Sequence, residues 1–532
     1  MRESIGHYSW ARVCAVSIIG IYLIYNIPFI TNISLSQTTW ETIWTEQDSL
    51  FDPIVKSVLL ALGQTVILLS SSLIISILLF KLNLLSSGSK YLGILLIPFV
   101  LGNVSVAFIF KLFLLDNQWP FTSPLTKFIS LTYIQFWQYG SLFIYLFWLN
   151  QQTIAQSVWD YANAVKLNDY EKIKHILIPK QRNLMVLLFM ISFILCFYET
   201  SKIEFIFKAS RGTSTELVNQ WLNRTYHSDT LLNANFAFTH LSQSAFYVLL
   251  TAFLVLIIGL FLQNKTILLW TRSRNTFNLQ LLPSAWLSKI VCILLIFWVL
   301  IPIGYGFYSQ WSSLQINIQP LIPTLFLTTA AAVISTIIAV FFGMISRMAW
   351  QNVLSNFSAA SLLFLVLLFS LILVPPVTLL ILGFKWMYVI GYNSSVGIYF
   401  AWVLGHTLLS FPILASFSIA THFRVQNSFI QYLDAHQVSF FEKLRDLFLL
   451  PFQADYLLTF LLSFAIIWNE GTINNILSDI IPSFITELNK TITGKAVDYA
   501  NGMNYFLISL ILALGSTVLW SFILYKHQNS PS

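Results

Sequence analysis

The sequence predicts an all-α integral membrane protein of about twelve transmembrane helices, arranged as two parallel six-helix repeats. Three observations lead there. Of 532 residues, 57% are hydrophobic and only 9% charged, and the mean hydropathy is +0.75. Soluble domains carry about 25% charged residues, so too few charges are present to solvate this chain as a globule. Apolar runs of about twenty residues, the length a bilayer core requires, recur along the whole sequence. The sequence also repeats itself: Glu199 and Glu470 lie 271 residues apart, as do Thr215-Glu216-Leu217 and Thr486-Glu487-Leu488. Asn233-Ala234-Asn235 and Tyr499-Ala500-Asn501 follow at a similar offset. Six spans per unit is an even number, so both halves face the same way, related by an axis along the membrane normal.

In chain order, the first span (13–32) follows Arg2 and Arg12. No small-residue cleavage site comes after it, which marks an uncleaved span rather than a signal peptide. The first half continues with spans at 56–80, 91–114, 128–149, 184–200 and 244–264. The second half has spans at 285–308, 322–345, 360–384, 398–420, 454–470 and 504–525. Residues 1–265 thus form the first half, 266–284 a linker and 285–532 the second half. Pro98 and the pair Pro375-Pro376 are expected to kink the third and ninth spans. Basic residues favour cytoplasmic loops. Here they mark alternate loops: Lys81 and Lys90, then 150–183, then Lys265, Arg272, Arg274 and Lys289, then Arg347, then Arg424, Lys443 and Arg445. The first loop is acidic (Glu41, Glu46, Asp48, Asp52) and the seventh uncharged, so both termini are assigned to the cytoplasm. Loop 201–240, placed outside, runs against the rule with Lys202, Lys208, Arg211 and Arg224. The net charge of +7 is therefore read as a topology signal and not as nucleic-acid binding.

The longest polar interval on that side is 150–183, NQQTIAQSVWDYANAVKLNDYEKIKHILIPKQRN. Its pattern predicts a short amphipathic helix, a turn, a second helical stretch and Pro179 ahead of the next span. Ile154, Val158, Tyr161 and Val165 fall on one side of the first helix. A comparable interval, QYLDAHQVSFFEKLRDLFLLPFQ, ends at Pro451, which is 272 residues after Pro179.

These residues resemble the permease subunits of binding-protein-dependent ABC importers, whose signature loop reads Glu-Ala-Ala, three residues, Gly, then about nine residues to Ile-x-Leu-Pro. Val158-Trp159-Asp160-Tyr161-Ala162 stands where the family has Leu-Tyr-Glu-Ala-Ala, and Ile176-Leu177-Ile178-Pro179 stands for the closing motif at the family's spacing. Tyr161 replaces the first Ala, and Lys166 occupies the Gly position. A glycine there serves a tight turn with φ > 0, and lysine argues against that turn. In the second loop (430–451), counting back from Pro451 puts Val438 at the Gly position and Asp434 at the second Ala; in the alternative register, one residue shorter, Asp434-Ala435 is the acidic-Ala pair, and Leu450-Pro451 closes the loop in both. The loops at 154–180 and 430–451 also share Tyr170-Glu171-Lys172-Ile173 and Phe441-Glu442-Lys443-Leu444.

The resemblance covers nearly the whole chain. It implies a MetI-like permease fold, residence in a bacterial cytoplasmic (inner) membrane, two copies of an ATP-binding cassette subunit and an extracytoplasmic solute-binding protein. Each loop would act as a coupling helix docked in a groove of the ATPase, a helix-in-groove contact. Trp159, Tyr161 and Tyr170 would be its aromatic anchors, and Ala162 part of its docking face. The fused two-half form is similar to iron(III), thiamine and phosphonate importers, whereas Trp468-Asn469-Glu470 and the lead-in around Trp137 look closer to sugar permeases.

Nothing in the sequence reads as catalytic. A Walker-type phosphate loop is missing, so ATP chemistry would belong to partner subunits and this chain would bind no cofactor. The eight histidines show no ligand spacing, so no metal is expected, and His406 reads as a satisfied core histidine. Cys14, Cys196 and Cys292 read as small core residues. Glu199 and Glu470 each close a span and are candidates for the outer gate, because an ionisable group at membrane depth is costly. The competing class is an ion-coupled secondary transporter, also built from six-span halves, which would need a coupling-ion site.

Overall fold

The computed structural model describes residues 51–80, 92–116, 124–152, 154, 156–197, 199, 202, 285–310, 321–352, 397, 399–400, 402–407, 410, 453–468, 484, 487–488 and 499–529. Every element among them is helical. An apolar chain has this one local solution, since a helix satisfies its own backbone N–H and C=O groups without water. Four of the helices are long and apolar enough to cross a membrane, or five if a bent pair counts as one. This is a multi-pass α-helical membrane protein. The spans read at 13–32, 244–264 and 360–384 lie outside the described residues, as does most of 398–420.

Helix α1 spans Phe51–Leu78. The third span is bent, as the sequence suggested, but not at Pro98. It is divided into α2, Leu92–Leu101, and α3, Asn103–Asp116, which meet at 99°. The bend sits at Gly102, with φ 78° and ψ 164°, a conformation open essentially to glycine alone. Pro98 is not its cause. It lies four residues earlier, in the first turn of the α-helical segment that follows the 3-10 turn over Leu92–Leu96, a position that tolerates proline.

Pro124–Gln135, a π-turn over Phe136–Gly140 and Ser141–Gln151 run on as one helix, α4. Every residue of Ser141–Gln151 is buried, as expected of a helix apolar all round. After the short α5 (Gln156–Ala164) comes α6, built from Asp169–Lys172, a π-turn over Ile173–Leu177 and Ile178–Phe197. Pro179 therefore lies inside a continuous helix and not at the end of a loop. The π-turn accommodates it: the Ile178 N–H reaches back to the Ile173 carbonyl, widening the ladder just before the proline. Then come α7 (Ala285–Gln310), α8 (Ile322–Asn352), α9 (Gln453–Trp468) and α10 (Tyr499–Asn529).

Packing joins helices from both sides of the 266–284 linker. One core combines α2, α3 and Trp137 with residues of α7 to α10, among them Ile303, Ala332, Trp468 and Phe506. A second combines Leu68, Phe143, Phe147 and Leu184 with Cys292, Val299 and Trp520. Close approach is built in at Gly306, where a Cβ would come within 2.6 Å of the Ile109 side chain. Small residues at helix contacts are how apolar helices gain van der Waals packing in lipid. Side-chain hydrogen bonds tie the same surfaces: Ser105 Oγ to Ser509 Oγ (3.2 Å), Trp137 Nε1 to the Trp298 carbonyl (3.2 Å), Trp520 Nε1 to Tyr145 Oη (3.0 Å) and Ser288 Oγ to the Leu78 carbonyl (2.7 Å).

Candidate functional site

The α5–α6 loop is a folded platform. At the end of α5 the Leu167 N–H donates to the Ala162 carbonyl and the Lys166 N–H to the Asn163 carbonyl, each at 3.0 Å. Those two bonds define a Schellman cap, with the residue at its C′ position left-handed. That residue is Lys166, with φ 58°. The turn a glycine would serve is thus present despite the lysine. Two residues on, Asn168 Oδ1 accepts the Glu171 N–H and Glu171 Oε2 accepts the Asn168 N–H, both at 2.8 Å. This reciprocal pair is a capping box that starts α6. The helix–turn–helix is therefore encoded locally at both ends.

Helix α5 divides its residues between two sides. Trp159 (0% exposed) stacks obliquely on Phe80 with ring centroids 5.1 Å apart. The two form a small core with Ile154 and Leu177, flanked by Ile77, Ile173 and Ile176. Ala162 is fully buried as well. Trp159, Ala162 and Ile154 thus face the bundle, a correction to their expected place on a docking face. The exposed side carries Val158, Tyr161 (69% exposed) and Val165, continued by Tyr170 (71% exposed). Asp160, Lys166 and Pro179 are exposed too. Lys180 is half-buried, and desolvation holds its ammonium below the ordinary lysine value.

Beneath the platform lies a layer of buried amides. Asn150 Nδ2 donates to Gln181 Oε1 (2.8 Å) and the Lys180 carbonyl (3.2 Å), and Gln181 Nε2 donates to the Phe147 carbonyl (3.1 Å). Gln151 Nε2 donates to Ser76 Oγ (3.0 Å) and Gln152 Nε2 to the Phe80 carbonyl (3.3 Å). These bonds fasten the ends of α1, α4 and α6 to one another.

A second site lies at the other end of α6. Glu199, 1% exposed, forms an ion pair with the fully buried Lys202. Gln135 Nε2 donates to Glu199 Oε2 and the Lys202 N–H to Glu199 Oε1, each at 3.0 Å. Lys202 Nζ also reaches Gln135 Oε1 (3.2 Å) and Asn103 Oδ1 (3.4 Å), and stands 4.8 Å above the Tyr139 ring. Lys202 is therefore no topological charge in an outer loop, which removes one of the four exceptions noted there. Sequence reasoning singled out Glu199 but not Asn103, Gln135, Tyr139 or Lys202. The i, i+3 spacing of Glu199 and Lys202 was the one available signal.

Asp434, Ala435, Val438, Leu450 and Pro451 of the second loop, and Glu470, lie outside the described residues. His406 is buried, and its Nδ1–H donates to the Trp402 carbonyl at 2.8 Å. Compared with known protein families, curated proteins and solved structures, the chain matches none.

Proposed function

We propose that this chain is the membrane-spanning permease of a binding-protein-dependent ABC importer, with its translocation path between the two halves. Its ATP chemistry resides on two separate ATP-binding subunits, and an extracytoplasmic binding protein delivers a small polar solute of the iron(III), thiamine, phosphonate or sugar classes. The observation that carries the reading is the α5–α6 platform. A Schellman turn with a left-handed residue at the family's glycine position is followed at the family's spacing by a helix containing the closing proline. An exposed stripe of Val158, Tyr161, Val165 and Tyr170 supplies a helix face for a groove. In this reading both loops and both termini are cytoplasmic, and closure of the ATPase dimer moves α5 and, through the amide layer, α1, α4 and α6.

The test is reconstitution with an ATPase partner and a binding protein. ATP hydrolysis is expected to rise when loaded binding protein is added, and the purified chain alone is expected to hydrolyse none. Tyr161→Asp and Val165→Asp should lower co-purification of the ATPase while the chain still inserts. Burying an unpaired charge at an interface costs several kcal/mol, and each 1.4 kcal/mol is about tenfold in affinity. Unchanged recovery with both substitutions would reduce this loop to a connector.

One observation favours the ion-coupled secondary transporter: the buried Glu199–Lys202 pair puts ionisable groups inside the bundle. Uptake by liposomes holding this chain alone, driven by a proton or sodium gradient, would decide for that class.

A further inference from the structure

Three departures from regular helix converge on one buried point. The bend at Gly102 presents Asn103, the turn of α4 at the start of its π-segment presents Gln135 and Tyr139, and the chain just past α6 presents Glu199. Between them sits the Lys202 ammonium. A lysine ammonium has three N–H donors and no acceptor. Here it meets three acceptor groups, the Glu199 carboxylate, Gln135 Oε1 at 3.2 Å and Asn103 Oδ1 at 3.4 Å, with the Tyr139 ring face at 4.8 Å. A carboxylate, two amide oxygens and an aromatic face are the groups that recognise an organic cation.

The walls hold one another. Tyr139 Oη donates to Asn103 Oδ1 at 2.7 Å, which turns that amide oxygen inward. Gln135 Nε2 donates to Glu199 Oε2 at 3.0 Å, which does the same for the carboxylate and leaves Gln135 Oε1 facing Lys202. Tyr139–Asn103 and Gln135–Glu199 are thus two hydrogen-bonded pairs made without Lys202, and the Lys202 ammonium bridges them. Stability does not account for the arrangement. A buried ion pair can commonly be replaced by apolar residues at no loss, and ionisable groups inside membrane bundles mark solute and ion routes.

We propose that Asn103, Gln135, Tyr139 and Glu199 form a binding site for a cationic group, a primary ammonium by preference, and that Lys202 is its tethered occupant in this state. A primary ammonium brings the three donors that the acceptors require, whereas a quaternary one brings none. The site is made entirely of α3, α4, Glu199 and Lys202. Its use in transport rests on this chain being a permease or carrier; the site itself rests only on the geometry around Lys202.

The experiment uses the purified full-length chain in lipid nanodiscs, without ATPase, so its outcome is independent of the importer reading. Lys202→Ala vacates the site. Methylammonium should then raise the unfolding midpoint saturably in Lys202→Ala, with no effect on the unsubstituted chain. Tetramethylammonium and sodium at equal ionic strength should do nothing, and Glu199→Gln/Lys202→Ala should not respond. The absence of a saturable response in Lys202→Ala, or an equal response in the double variant, overturns the proposal. If Lys202→Ala does not fold, solubilisation in methylammonium is the second measurement. Recovery of folded protein that depends on methylammonium supports the site, and its failure counts against it.

Discussion

Lys166 shows how one residue can hold an unfavourable conformation because both of its neighbours are fixed. A non-glycine residue in the left-handed region costs roughly 1–2 kcal/mol. The Schellman bonds on one side and the Asn168–Glu171 capping box on the other over-determine the turn. Lys166→Gly is therefore expected to stabilise the chain by about 0.5–1 kcal/mol, the strain removed less the extra unfolded-state freedom of glycine. Thermal unfolding reads this as a higher midpoint. A β-branched residue at the same position should lower it. Trp159 has the opposite character, being an ordinary residue in a tightly filled place. Trp159→Ala removes the ring that pins α5 to Phe80 and should cost about 3–5 kcal/mol. Hydrogen exchange would localise the loss, with amide protection falling across 156–167 while α1 and α4 keep theirs. Ala162→Asp should act in the same way, loosening α5 from the bundle, since its side chain faces inward.

At the scale of elements, irregular backbone brings distant side chains together. Gly102 lets one apolar run turn through 99° and bring Asn103 to Lys202. Gly102→Ala meets a backbone region closed to side chains and should cost about 1–3 kcal/mol. If the turn is needed as described, the variant unfolds at lower temperature and loses the Tyr139–Asn103 hydrogen bond. An unchanged midpoint would mean that the α2–α3 bend is replaceable by a straight span. The π-turn of α6 does a different task, relieving the ladder ahead of Pro179 so that the platform and the span form one lever.

At the scale of the molecule, the helices before residue 203 and those after 284 share two cores and hydrogen bonds such as Trp520–Tyr145 and Ser288–Leu78. The association is held by packing and hydrogen bonds between the two groups of helices themselves. Co-expressed as two polypeptides divided near residue 275, the halves should therefore assemble, a tag on one recovering the other. Failure to co-purify would make the covalent linker part of the assembly.

Much of this was legible in the sequence for a simple reason: lipid removes water as a hydrogen-bond partner. Apolar length then dictates helix, and five described helices fall within about five residues of the runs that announced them, α1, α4, α7, α9 and α10, whereas α6 begins 15 residues ahead of its run because the loop's second helix continues into it. The loop's helix–turn–helix was legible from the amphipathic period of 154–165, whereas its left-handed Lys166 and the Asn168–Glu171 capping box came only with the structure. Tertiary structure decided the rest. Which side of α5 is covered depends on Phe80, far from it in sequence, and on Leu177 of the next helix, so Trp159 and Ala162 turn inward while Tyr161 and Val165 stay out. The bend at Gly102 needed a destination, and the meaning of Glu199 needed Asn103, Gln135 and Tyr139 from two other helices. A polar side chain in an apolar run says that a partner must exist, because leaving it unpaired in that medium is costly. Only the packing of distant helices names the partner.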